Sequence, residues 1–151
     1  MRLIKIFILL LPSYVLSQDV SFGFPKDFIK LNDIIILNDI SWQHSYSQFS
    51  PEGEEQIEAI DSLLKSNPQF EFSIELYYFT GNKRLSKRIT IVHSNILKKL
   101  LKSSNYIIKP CGEGKILVRI EDIEDNYYKK INSRIEIRVI GNTPNVLKQH
   151  E

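Results

Sequence analysis

The sequence predicts an α+β domain in which two helices pack on one face of a mixed β-sheet as a two-layer sandwich. Two observations carry this. A strict two-residue alternation over 70–78 marks a half-buried strand, and two segments of helical periodicity flank it, giving the order strand, helix, strand, helix, strand, strand (β-α-β-α-β-β). Apolar and charged contents of 42% and 25% are ordinary for a globular chain, so one hydrophobic core is expected rather than disorder.

The first residues read as a secretory leader. Met1 to Lys5 is a short basic start, Ile6 to Leu11 is an unbroken apolar run, and Val15-Leu16-Ser17 precedes a cut before Gln18. The apolar stretch is too short to span a bilayer, which takes roughly 20 residues, so no membrane span is expected once residues 1–17 are removed. Arg2 and Lys5 account for the whole formal charge of +2, which leaves the processed chain neutral. A neutral chain lacks the basic surface that dominates nucleic-acid affinity, so no nucleic-acid partner is expected. Residues 18–33 form a lead-in, 34–141 the domain and 142–151 a C-terminal tail.

Within the domain, Ile34 to Trp42 reads as a β-branched strand. Ser50-Pro51-Glu52 is a helix start: a hydroxyl to cap a free N–H, proline in the first turn, and acid at the positive end of the dipole. Ile57, Ile60, Leu63 and Leu64 give that helix one apolar stripe, and Asn67-Pro68 ends it. In the next strand Phe70, Phe72, Ile74, Leu76 and Tyr78 share a face opposite Glu71, Ser73, Glu75 and Tyr77. A second helix runs from about Leu85 to Leu101, with Leu85, Ile89, Val92, Ile96 and Leu100 as its apolar stripe and basic residues toward its end. Tyr106 to Ile108 is a short strand, Pro110 to Gly114 a turn, and Lys115 to Ile120 a further apolar strand candidate; Glu121 to Lys130 is a polar connection without an assignable state. The last strand, Arg134 to Ile140, turns Ile135, Ile137 and Val139 one way and Arg134, Glu136 and Arg138 the other. If the two alternating strands are neighbours, Glu71 and Glu75 can pair with Arg134 or Arg138.

Laid in this order, the pieces resemble the OmpA-like, peptidoglycan-associating domain from about Leu37 to Ile140. The resemblance rests on Leu37-Asn38-Asp39-Ile40-Ser41-Trp42, Ser50-Pro51-Glu52-Gly53, Asn67-Pro68, Asn82-Lys83-Arg84-Leu85-Ser86, Gly112-Glu113 and Asn132-Ser133-Arg134-Ile135-Glu136. It implies non-covalent binding of the diaminopimelate group of peptidoglycan by an aspartate after a threonine and an arginine four residues past the helix-opening leucine. A zwitterion needs that carboxylate and that guanidinium. Here Gly81 follows Thr80, and Ile89 stands four residues past Leu85, with Arg88 about a quarter-turn away. Losing two charge-assisted contacts removes about 3 to 6 kcal/mol of affinity. The expected function is therefore a non-catalytic envelope binding or anchoring domain with an eroded peptidoglycan site, in the periplasm or at the outer-membrane periphery, with secretion from the cell as the alternative. Thr80, Asn82, Arg88, Asn132 and Arg134 are the ligand-binding candidates, with a solvated polar surface as the plainer account of them.

The rival from a different class is an exported adaptor that binds an envelope protein through its sheet face or an edge strand. Enzymatic chemistry has little support. His44, His93 and His150 stand apart from each other and from Cys111, so no metal or other cofactor is expected. Ser41 and Ser47 near His44 lack a nucleophile-elbow pattern. Glu113, Glu121, Asp122, Glu124 and Asp125 lack the glycine placement of a calcium loop. Cys111, the only cysteine, has no internal disulfide partner and reads as a small half-buried residue of the Pro110 turn.

Overall fold

The computed structural model describes residues 20–24, 28–38, 48–115, 117, 129 and 131–143. The leader, Asp39 to Trp42, His44, Ser47, His150 and nearly all of the 115–130 connection lie outside the described residues, as does the C-terminal tail beyond Thr143.

The described elements make one two-layer domain: β1 (Val20–Phe22), β2 (Ile34–Asn38), α1 (Pro51–Ser66), β3 (Phe70–Tyr77), α2 (Lys83–Leu100), β4 (Tyr106–Gly112) and β5 (Arg134–Asn142). The sheet order is β1-β2-β5-β3-β4, with β5 antiparallel to both β2 and β3 and the β1–β2 and β3–β4 pairs parallel. The predicted mixed sheet with two helices is present, and residues read as a lead-in add the short strand β1.

Alternation explains the core. Ile35 and Leu37, Phe72, Ile74 and Leu76, and Ile135, Ile137 and Val139 are buried together with Ile57, Ile60 and Leu64 of α1 and Leu97 of α2. Ser50 caps α1, its Oγ accepting from Gly53 N at 3.2 Å, and Asn67 closes the helix with its side chain donating to Leu63 O at 2.9 Å. Asn105 then ties three turns together, its amide donating to Leu64 O, Asn67 O and Phe70 O at 3.0 to 3.3 Å.

The second helix departs from expectation. Asn82 caps it, its Oδ1 accepting from Arg84 N and Leu85 N at 3.1 Å each. Its inward face, however, is Ser86, Thr90, His93, Ser94 and Leu97, whereas Leu85, Val92 and Leu100 of the predicted apolar stripe are exposed and Ile89 and Ile96 only half-buried. The reason is proximity to β4. Small polar residues let the helix lie close to the strand while their hydroxyls are satisfied locally: Thr90 Oγ1 donates to Lys87 O at 3.0 Å and accepts from Gly112 N at 3.1 Å, and Ser94 Oγ donates to Ile91 O at 2.8 Å.

The strand predicted to stop at Ile108 continues through Pro110 to Gly112. Proline is tolerated because β4 is an edge strand, where a missing N–H leaves no ladder bond unmade. Lys87 Nζ donates to Pro110 O, so part of this edge is covered.

Asp61 is the strongest polar clamp between the α1 layer and the chain leaving α2. Its Oδ1 accepts from Lys102 N at 2.9 Å, Ser103 N at 3.0 Å and Ser103 Oγ at 2.8 Å, and Lys65 pairs with the other oxygen. Burial opposes its ionisation, but Lys65, the Ser103 hydroxyl and the two backbone N–H groups together pull its pKa from 3.8 down to about 2. Because the folded value lies below the unfolded one, the clamp stabilises fully above pH 3.8 and its contribution is lost as pH falls through about 2. In urea titrations Asp61→Ala lowers stability by about 1 to 3 kcal/mol at neutral pH, and the deficit shrinks as the pH is taken down through that window.

Candidate functional site

Four of the five site candidates, Thr80, Asn82, Asn132 and Arg134, gather at one end of the sheet, where β3 turns into α2 and the chain enters β5. Thr80 folds the turn onto the helix cap. Its Oγ1 accepts from Asn82 N at 3.1 Å, donates to Asn82 O at 3.0 Å and lies 2.7 Å from Ser86 Oγ, while Thr80 N donates to Ser86 Oγ at 3.2 Å. Between Thr80 and Asn82, Gly81 takes a φ of +76°, a left-handed conformation that glycine adopts without strain. Ser86 Oγ also contacts Glu113 Oε1 at 3.2 Å, which brings a carboxylate to the rim beside Thr80.

A second group adjoins the first, Phe79 N donating to Ser133 Oγ at 3.0 Å. Asn132 is fully buried, and its Oδ1 accepts from Leu117 N at 2.8 Å. Arg134, with a side chain only 1% exposed, is held on every side. Its Nε donates to Glu136 Oε1 at 2.7 Å, Nη1 to Asn132 O at 3.2 Å and Nη2 to Lys115 O at 3.2 Å. The guanidinium lies 4.1 Å from the centroid of the Tyr77 ring, and Gly114 also lies against that ring, where a Cβ would come within 2.1 Å of Tyr77 Cε1. With φ +58°, Gly114 is a position only glycine fills without displacing the ring.

The structure thus brings Thr80 and Asn82 together, joins Asn132 to Arg134, and links the two groups through Phe79 and Ser133. Arg88 stands apart, exposed on α2. Sequence reasoning passed over Ser86 and Glu113. Both lie within segments already singled out, Asn82 to Ser86 and Gly112-Glu113, but nothing local announces that a serine on α2 bridges the two.

Behind the rim, the outer face of the sheet carries a chain of ion pairs. Glu75 meets Arg138 Nε at 3.2 Å and Lys109 Nζ at 3.3 Å, Tyr77 Oη donates to Glu75 at 2.8 Å, and Arg138 also reaches Glu136. The predicted Glu75–Arg138 pairing is present, whereas Arg134 pairs with Glu136 of its own strand and Glu71 lies opposite Gly141. Burial works against ionisation of Glu75, but Tyr77, Lys109 and Arg138 outweigh it and hold its carboxyl below the usual range. Burial, followed by the bond to Glu75, pushes the Tyr77 hydroxyl well above its ordinary value. Burial likewise pushes the Cys111 thiol up, the reverse of what an activated nucleophile needs. Among the described residues no three His, Cys, Asp or Glu side chains are grouped to hold a metal, and no helix is long and apolar enough to cross a membrane. His93 is buried at 2% exposure with its ring edge-on to Tyr78, centroids 5.6 Å apart.

No family model and no curated protein matches the sequence. Solved structures do resemble the fold. The periplasmic domain of Helicobacter pylori MotB superposes with a TM-score of 0.52 at 13% identity, over 78% of this chain and 81% of that one. A putative MotB-like protein from Desulfovibrio vulgaris gives 0.57 at 11% identity, over 72% and 74%. The cell wall anchor of the T6SS from Pseudomonas aeruginosa gives 0.51 at 12%, over 72% and 80%. At such identities the likeness is one of fold, and it is the OmpA-like fold that the sequence resembles.

Two arginines separate structural from surface roles. Arg134→Leu takes from buried Glu136 one of its two arginine partners and from Asn132 O and Lys115 O their donor, and costs about 3 to 5 kcal/mol in chemical denaturation. Arg88→Ala changes stability by no more than about 0.5 kcal/mol in the same measurement.

Proposed function

We propose that the chain is a non-catalytic binding or anchoring domain of the bacterial cell envelope, exported by its N-terminal leader to the periplasm or outer-membrane periphery, whose diaminopimelate site has been altered. The observation that carries this is the OmpA-like fold with glycine after Thr80 and isoleucine at position 89. Two of its structural neighbours are described as a periplasmic MotB domain and a cell wall anchor, which supports an envelope role for the same fold here.

The rim supports a weakened site. Thr80 spends its hydroxyl on Asn82 and Ser86, and Arg134 spends all three guanidinium nitrogens on Glu136, Asn132 and Lys115. A zwitterionic ligand arriving at this end meets the Glu113 carboxylate beside Ser86, while the Arg134 guanidinium is turned to Glu136, Asn132 and Lys115. The adaptor reading has less behind it. Pro110 and Lys87 blunt the β4 edge, and the charged groups of the outer sheet face already satisfy one another.

Co-sedimentation of the processed protein with isolated cell-wall sacculi tests the reading: weak, non-saturating association is expected, and tight saturable binding contradicts an altered site. The double variant Gly81→Asp/Ile89→Arg, which returns a carboxylate and a guanidinium to the positions that the resemblance marks, raises sacculus affinity at least about tenfold. No gain from a folded double variant contradicts the assignment of the site to this rim.

A further inference from the structure

Helix α2 is built unlike a helix whose only task is to cover a sheet. Such a helix turns its apolar stripe inward. Here the inward face is Ser86, Thr90, His93, Ser94 and Leu97, while Leu85, Ile91 and Val92 are 46%, 42% and 46% exposed. At 100° per residue, Arg88, Asn95 and Lys99 point directly away from the sheet, with Arg84, Ile91 and Val92 to either side of them. The outward surface therefore alternates aliphatic and cationic groups along the helix.

Its charge is one-sided. Lys83, Arg84, Lys87, Arg88, Lys98 and Lys99 lie on α2 with no acidic residue among them, and the next acid along the chain is Glu113. α1, on the same side of the sheet, is the converse, with Glu52, Glu54, Glu55, Glu58 and Asp61 against Lys65. A chain neutral after processing is thus folded into a domain with one cationic and one anionic helix. What docks on α2 must supply negative charge and an apolar phase together.

We propose that the outward face of α2 is a docking surface for anionic phospholipid bilayers, with Leu85, Ile91 and Val92 entering the headgroup region and Arg84, Arg88 and Lys99 contacting lipid phosphates. A second copy does not fit: α2 against α2 sets cation against cation, and α1 offers carboxylates but no exposed large apolar residue. Nucleic acid supplies the charge, but the one aromatic ring on α2, that of His93, is buried, so the helix offers bases no exposed side chain on which to stack. An anionic bilayer supplies both parts: lipid phosphates for the cations along the centre of the face, and the headgroup–acyl boundary for the aliphatic side chains that flank them. This surface begins at the Asn82 cap, beside the rim, and runs along the length of α2.

The test places a polarity-sensitive fluorophore on the full chain at Val92→Cys, in a Cys111→Ser background, with Glu55→Cys on α1 as the reference position. Vesicles of phosphatidylglycerol mixed with phosphatidylcholine are compared with vesicles of phosphatidylcholine alone. A blue shift at position 92 and not at 55, on the anionic vesicles only, is expected. Combining Arg84→Glu, Arg88→Glu and Lys99→Glu, all exposed, weakens that partitioning at least about tenfold without changing the circular dichroism. Because the apolar N-terminal segment is the same in every variant, membrane binding through it alone leaves position 92 in water and overturns the proposal. So does an equal shift on uncharged vesicles, insensitivity to the charge reversals, or an equal shift with soluble poly-glutamate, which assigns the face to an acidic polypeptide instead.

Discussion

The fold hangs on the insertion of the last strand into the middle of the sheet. β5 lies between β2 and β3, antiparallel to both, and among the described residues it is the strand that joins those two halves. Ile135, Ile137 and Val139 are each at most 3% exposed and complete the core that α1, β2 and β3 begin. The same strand carries Arg134, Glu136 and Arg138 on its other face. Slipping it by one residue sends three charges into the core and three aliphatic side chains out of it, so the register is set by a large energy gap.

That register places Glu75 directly opposite Glu136, a like-charge pairing that is unfavourable alone. It is tolerated because Arg138 reaches both carboxylates, Lys109 meets Glu75 and Arg134 meets Glu136. Buried ion pairs of this kind contribute little net stability compared with apolar packing, yet removing one member is costly because its partner is left uncompensated. Their arrangement has a consequence at the rim. Arg134 belongs to the network and is stacked on Tyr77, so a residue placed by its motif among ligand-binding candidates is occupied within the protein. The rim owes its shape to this strand as well, because Ser133, just before β5, accepts the Phe79 N–H that precedes Thr80.

The elements legible in the sequence were those whose pattern and environment agree. The cap at Ser50, the stop at Asn67-Pro68, and the alternation of β3 and β5 all reflect local rules that the tertiary structure reinforces. The orientation of α2 is not legible in the sequence, because its periodicity is real but is not directed at the sheet: close approach to β4 favours Ser86, Thr90 and Ser94 at the contact, and the apolar stripe is left near or at solvent. β4 was cut short at Pro110 because proline is a sound stop signal in a central strand and not in an edge strand. Of the site candidates, the Thr80–Asn82 turn was visible from its own residues, whereas the joining of Ser86 to Glu113 and the locking of Arg134 depend on contacts 27 and 19 residues apart that no local motif encodes.

Amide hydrogen exchange, read residue by residue on the folded chain, addresses the central strand most directly. If β5 is the joint of the sheet, the amides of Ile135, Ile137 and Val139 exchange only through global unfolding and are the slowest in the molecule, with those of the edge strand β4 faster. Exchange at β5 as fast as at β4, or release of β5 amides before those of β3, contradicts a fold held together by its last strand and with it the placement of the rim.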